Sequence, residues 1–315
     1  MSPASELITL GDGAEFDAIR AMVARWGDRA QGIGDDAAVL TLPRGDRLVV
    51  SVDTSIEGRH FRAEWLSPRE IAYRAVTAAL SDLAAMAAHP IGVLVALTLS
   101  DSWRGMVAEI ADGVGDAVSR AGTWIVGGNV AMGEELSITT TVLGSAYAVL
   151  RRDGLRPGDL LYVTGRLGGS GAALAALRGG GKAQPVHHAR FARPDARLRE
   201  ARWLAERGAT CAIDISDGLA ADAGHLAAAS KVGIDIDLAL VPCVDGASDL
   251  DAASSGEEYE LIVGTSHALA ADEFEAQFGI PLTRIGRGTE LHAGVSLVRR
   301  GARVAIPPGY DHLSR

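Results

Sequence analysis

Aspartates recur in this chain where a carboxylate is locally unfavourable. Asp35 and Asp36 lie in the glycine turn GIGDDAAVL. Asp53 closes the apolar run RLVVSVDT and shares a strand face with Ser51, because side chains alternate. Asp214 and Ser216 share a face at the end of CAIDIS, and Asp217 follows at a helix start. Asp82 belongs to the series Ile71, Ala75, Ala78, Asp82, Met86, whose spacings of three and four put it on the inward stripe of a helix. Each has a local alternative: an N-cap for Ser216 or Asp217, a turn for Asp35, Asp36 or Asp53, a structural ion pair for Asp82. Together they point to a polyaspartate site. A carboxylate facing a core is costly without a cation, and magnesium suits carboxylates working beside phosphates. The chain has a formal net charge of -10. An acidic protein of this kind holds a polyphosphate when metal ions bridge the two sets of anions.

The elements that must position these residues read as an alternating α/β pattern. A helix is expected over residues 13–30 and a strand over 47–54. Ser67-Pro68-Arg69-Glu70 is a capping box with proline at the first helical position, opening a helix over 68–87. A strand at 91–99, a helix at 103–121 and strands at 123–126 and 137–147 follow. The charged, glycine- and proline-bearing segment RRDGLRPGD (151–159) marks a boundary near residue 150. This gives an N-terminal domain of 1–150 and a C-terminal one of 151–315. Beyond it come a strand at 160–164, a helix from about Gly171, helices at 194–207, 217–230 and 268–277, and strands at 211–215, 234–238 and 259–264. His187-His188 reads as a solvated loop.

Several function classes drop out. The acidic balance argues against a nucleic-acid surface. No apolar run is long enough to span a membrane, and the N-terminus lacks signal-peptide features, so a cytoplasmic protein is expected. Cys211 and Cys243 form neither a metal motif nor a disulfide framework. Gly32 to Ala37 fits a dinucleotide fingerprint in letters only: no strand precedes it, and its two aspartates would repel a pyrophosphate. Gly181-Lys182 is followed by Ala183 rather than the hydroxyl residue of a Walker loop.

The segments GIGDDAAVL (32–40), SVDTSIEGRHF (51–61), AYRAVTAALSDLAAMAAHP (72–90), IVGGN (125–129), GLRPGDLLYVTG (154–165), AIDISDGLAADAGHL (212–226), SGEEYEL (255–261) and GYDHL (309–313) resemble, in order and spacing, the thiamine-monophosphate kinase family. That family sits in a wider group with aminoimidazole ribonucleotide synthetase, selenophosphate synthetase and a hydrogenase maturation protein. The resemblance implies a two-domain α/β (α+β) fold. Its N-terminal domain, with ATP and metal sites, pairs with a second copy in a β-barrel-type interface, and a mixed C-terminal sheet is flanked by helices. It implies ATP-dependent phosphorylation of thiamine monophosphate, with ATP, Mg2+ and room for K+, in a homodimer. Magnesium ligands would be Asp36, Ser51, Val52 (through its carbonyl), Asp53, Asp82, Asn129, Asp214 and Asp217. Asp36, Asp53, Asp82 and Asp214 would carry the catalytic role. Gly128, Asn129, Arg152 and Ser216 would meet ATP, with Arg151 the alternative to its neighbour. His60, Glu257 and Tyr310 would meet the thiamine phosphate.

The chain departs from the family pattern in three places. Asn129 stands where an aspartate is usual, Glu258 where the second acid is usually Asp, and Val52 where a hydroxyl residue is common. Asn keeps an oxygen donor but loses a charge. Two other functions stay open at this stage: a related ATP-using synthetase, and a weakened paralogue that binds nucleotide or thiamine phosphates without turnover.

Overall fold

The computed structural model describes residues 38–41, 45–290 and 294–305. The expected helix at 13–30 lies outside these residues, as do Asp35, Asp36 and Tyr310.

The first sheet holds β1 (Ala38–Thr41), β2 (Arg47–Ile56), β3 (His89–Leu99), β4 (Ile125–Met132) and β5 (Ser137–Ala146), in the order β1-β2-β5-β3-β4. All neighbours are antiparallel except β3 and β4. Helices α1 (Pro68–Ala85) and α2 (Val107–Ala121) accompany this sheet, and α1 packs on β2 and β5. The expected capping box forms: Ser67 N donates to Glu70 Oε2 at 2.8 Å, and Glu70 N donates to Ser67 Oγ at 3.3 Å. Such a cap stabilises a helix start by about 1 kcal/mol. The two helices cross closely at Gly113, where a Cβ would lie 2.1 Å from the Arg69 carbonyl oxygen.

The second sheet contains β6 (Leu160–Thr164), β7 (Ala209–Asp214), β8 (Gly233–Asp237), β9 (Leu261–Thr265), β10 (Leu282–Thr289), β11 (Gly294–Arg299) and β12 (Ala302–Val304). Its order is β12-β11-β8-β10-β6-β9-β7, parallel only between β11 and β8. Helices α3 (Gly169–Arg178), α4 (Pro185–Ala192), α5 (Leu198–Glu206), α6 (Leu219–Ser230), α7 (Asp249–Ser254) and α8 (Ala271–Phe278) flank it. The mixed sheets and flanking helices agree with the expected α/β (α+β) fold.

One apolar core crosses residue 150. It joins Leu80, Leu83 and Met86 of the first half to Trp203, Leu261 and Phe274 of the second. The charged segment at 151–159 therefore separates the sheets but not their packing. A second core, around Leu161, Ile213, Leu226 and Ile262, belongs to the second half alone.

Some local expectations are corrected. His187 and His188 are in α4, not a loop: His187 is buried, with Nε2 2.8 Å from the Asp245 carbonyl oxygen. Pro185 supplies the helix start that reading Gln and Pro as loop-formers overlooked. The first turn expected of a helix at 103–121 is a 3-10 turn, Asp101–Met106. Strands β10 to β12 and helix α7 were not anticipated. The strands are short glycine- or arginine-bearing runs and the helix has only six residues, so each carries weak periodicity.

Candidate active site

Ser51 and Asp53 lie within β2, which continues to Ile56, so Asp53 is not at its end. Their register partners on β5 are Val142 and Thr140, both buried, which puts Ser51 and Asp53 on the face covered by α1. From α1, Asp82 accepts the Ser51 hydroxyl at 2.5 Å. Asp82 is half-buried rather than buried, so it stands at the edge of the inward stripe. Its neighbour Ser81 is fully buried and donates to Asp214 Oδ2 at 2.6 Å. Asp214 ends β7 and is itself buried. Two adjacent residues of one helix thus link β2 of the first sheet to β7 of the second.

The turn after β7 carries Ser216 and Asp217, both half-buried. Capping does not account for them, because α6 begins after Gly218, its N-cap. Their main chain is gripped by Asp222, buried in the first turn of α6. One carboxylate oxygen, Oδ2, accepts from Ser216 N at 3.1 Å, Asp217 N at 3.0 Å and Gly218 N at 3.0 Å. Burial raises the pKa of Asp222 well above its usual value, and Asp217 and Asp214 add to the rise. The Asp217 N–H and the charge of Arg152 oppose it. Arg152 is thus within electrostatic reach of this turn, while Arg151 pairs with Asp153 at 3.2 Å. The ligand atoms of Asp217, Asp222 and His225 lie within 4.8 Å of one another. Sequence reasoning missed Asp222 and His225. Asp222 shares an inward stripe with Leu219, Ala223 and Leu226, the signal that singled out Asp82.

The segment Gly256–Tyr259 hangs on the same turn. Glu257 N donates to Ser216 O at 2.7 Å, and Tyr259 N donates to Ile215 O at 2.9 Å. At Gly256 a Cβ would sit 2.6 Å from Ser216 O, so only glycine allows this approach. Glu257 and Tyr259 take φ values of 56° and 52°, which non-glycine residues adopt at a cost of about 1–3 kcal/mol and which cluster at functional sites. Burial raises the Tyr259 pKa well above its usual value. Glu257, Asp53 and Asp214 reinforce the rise, and Arg74 opposes it. Carboxylates from both sheets therefore act electrostatically on one phenol. Glu258, the longer acid in place of Asp, is buried and accepts from Gly168 N at 2.9 Å and Ser170 N at 3.0 Å, holding the start of α3.

His60 and Glu257, distant in sequence, meet through Arg74. This buried α1 residue donates from Nη1 to the His60 carbonyl at 3.0 Å and pairs through Nη2 with Glu257 Oε2. The His60 ring accepts the Ile56 N–H on Nδ1 at 3.0 Å, so a neutral ring carries its proton on Nε2.

Three candidates stand apart. Val52 is 60% exposed on the other face of β2. Asn129 occupies the cross-sheet row of Ala96, Thr139 and Thr54, and Gly128 the row of Val95, Thr140 and Asp53. Alternation thus points Asn129 away from the Asp53 face. Three strand spacings separate β4 from β2, about 14 Å.

Sequence comparison matches residues 34–146 to the N-terminal domain, and residues 156–298 to the C-terminal domain, of the AIR synthase related proteins. The thiamine-monophosphate kinase of Escherichia coli (strain K12) is 36% identical over 319 residues, covering 93% of this chain and 97% of the relative. The chain belongs to the thiamine-monophosphate kinase family. The Bacillus subtilis (strain 168) member of that family is 31% identical and covers 95% of the chain. Among solved structures, AaThiL complexed with AMPPCP and TMP superposes with a TM-score of 0.83 at 29% identity, over 96% of this chain and 97% of that one. The family enzyme from Aquifex aeolicus gives 0.78 at 28% identity, over 91% of this chain and 97% of that one. The hydrogenase maturation protein HypE, at 20% identity and a TM-score of 0.70, shares the fold.

Proposed function

We propose that this chain transfers the γ-phosphoryl group of ATP to the phosphate of thiamine monophosphate, giving thiamine diphosphate and ADP. The observation that carries this reading is the pair of hydrogen bonds by which Ser51–Asp82 and Ser81–Asp214 tie a strand of each sheet to one helix and bring its Asp82 beside Asp214 of the second sheet. The likeness to a structure holding an ATP analogue and TMP supports it.

The donor set suits magnesium: hydroxyl and carboxylate oxygens, with carboxylates dense enough to raise one another's proton affinity. In this reading Asp36, Ser51, Asp53, Asp82, Asp214 and Asp217 hold the metal, and Val52 lends a carbonyl. Bound magnesium would offset charge on the phosphates. Arg152, Ser216 and Gly128 serve the nucleotide, and His60, Glu257 and Tyr310 the acceptor. Asn129, which faces away from the Asp53 side of its own sheet, would in this reading reach the metal from a second copy. The acceptor phosphate has a second pKa of about 6, so at neutral pH it is already a nucleophile and needs no general base. What the side chains must do is align two anions in line.

The assignment of residues 1–150 to nucleotide, metal and pairing, and of 151–315 to a second α/β unit, goes with this reading, as does a cytoplasmic location. No helix among the described residues is long and apolar enough to cross a membrane. A homodimer is supported by exposed apolar residues on and beside edge strand β4: Trp124 is 67%, Val126 53% and Val130 64% accessible.

The test is incubation of purified protein with thiamine monophosphate, ATP and Mg2+, following thiamine diphosphate and ADP. Equimolar formation of both is expected. ADP formed only with an amide or carbonyl acceptor would transfer the protein to the synthetase branch, and tight nucleotide binding without turnover would make it a paralogue that only binds.

A further inference from the structure

Arg74 brings a positive charge to an almost dry position, 4% exposed on α1. Its Cζ lies 4.4 Å over the ring of Phe191, its Nη1 holds the His60 carbonyl, and its Nη2 faces Glu257. Burying a guanidinium is costly unless a carboxylate answers it, and here the answering group is Glu257, whose side chain keeps 27% of its surface open. Removing Arg74 therefore frees Glu257, a residue whose main chain is already in a left-handed conformation.

Arg74 and Ser81 are seven residues apart, which places them on one face of α1, about 10 Å apart along its axis. Both point to the second half of the chain: Ser81 to Asp214 at the carboxylate cluster, Arg74 to Glu257 two turns away. The helix thus holds the carboxylate cluster at one end and, two turns away, the clamp on His60 and Glu257.

Resting on the kinase reading above, we propose that Arg74 is the positioning residue for the acceptor. By fixing Glu257 and the His60 main chain in one frame, it sets the affinity for thiamine monophosphate and leaves that for ATP alone. The part of Glu257 that touches the Ser216 turn is its backbone N–H, which a change at Arg74 does not remove.

The experiment compares KM for each substrate in the full chain and in Arg74→Met, Arg74→Lys, Glu257→Gln and the double variant Arg74→Met/Glu257→Gln. Arg74→Met should raise KM for thiamine monophosphate tenfold or more with KM for ATP within twofold. Arg74→Lys should recover part of the loss, since it restores charge but not the two-pronged donor. The double variant should be little worse than the poorer single one, because both act through the same contact. KM values that stay put, that move together for both substrates, or that add in the double variant overturn the proposal. Should Arg74→Met fail to fold, Arg74→Lys carries the same comparison at preserved charge. An unaltered chain that does not phosphorylate thiamine monophosphate sinks the kinase reading and this proposal together. An active one with indifferent Arg74 variants sinks this proposal alone.

Discussion

Ser81 donates to Asp214 across 2.6 Å, although 133 residues separate them, and the next residue on the same helix, Asp82, accepts from Ser51. One turn of helix α1 thus sets the spacing between a carboxylate of the first sheet's side and one of the second's.

Asp82→Ala and Asp214→Asn should each lower kcat by about a hundredfold or more, as expected when a group that stabilises developing charge is removed. Melting temperature should hold or rise in metal-free buffer, because one of several mutually repelling carboxylates is gone. Steady-state kinetics and a thermal melt in EDTA check both halves. Near-normal turnover in either variant would remove that residue from the metal set.

Asp222→Ala should strand three backbone donors at the Ser216–Gly218 turn. Leaving buried donors unmade costs about 1–3 kcal/mol each when water cannot reach them. The expected result is a lowered urea midpoint and a higher magnesium concentration for half-maximal rate. Asp222→Asn, which keeps one acceptor oxygen, should lie between Ala and wild type.

Glu260 gives a pH prediction. Burial pushes its carboxyl up, but Arg197 and Arg190 outweigh burial and hold it below its usual value of 4.5. Arg197 donates from Nε at 2.7 Å, and Arg190 from Nη2 at 2.8 Å. A native pKa below the unfolded one contributes stability above about pH 4.5 that is lost as pH falls through the native value. Calorimetric melts should show the wild type losing stability below that pH. Glu260→Gln should start about 3–5 kcal/mol lower at neutral pH, since it leaves buried arginines unanswered, and its acid slope should be shallower.

Asn129→Asp would restore the charge usual in the family. If this residue reaches the metal set through a second copy, the magnesium concentration for half-maximal activity should drop several-fold. If it does not, the titration curve will be unmoved. Val130→Lys, beside it on the exposed edge, should halve the mass measured by light scattering if β4 pairs with another chain.

Much of the site was legible because carboxylates break patterns. Asp82 stands at the edge of an apolar stripe and Asp214 follows CAI on a buried strand, so each is conspicuous as a carboxylate among apolar neighbours. The first turn of α1 was equally plain, since a capping box needs only four residues. Arg74 was not, because an arginine on a helix ordinarily reads as solvated, and its burial depends on Phe191 and Glu257 arriving from far along the chain. The position of Asn129 was hidden for a related reason. Motif order places IVGGN beside the other segments, but which side of a sheet a residue faces depends on strand register, which a linear motif does not record. The late strands are held by pairing rather than by their own periodicity: β10 with β6 and β8, β11 with β8, and β12 with β11.

The apolar core that runs from Leu83 and Met86 to Trp203 and Phe274 makes the two halves poor candidates for separate life. A protease nick in the 151–159 connector would release not a pair of modules but two sticky fragments, each missing the other's greasy wall. Denaturant titration should consequently trace one sigmoid for the whole chain, and grafting either half onto a foreign scaffold would have to carry the skin of α1 with it.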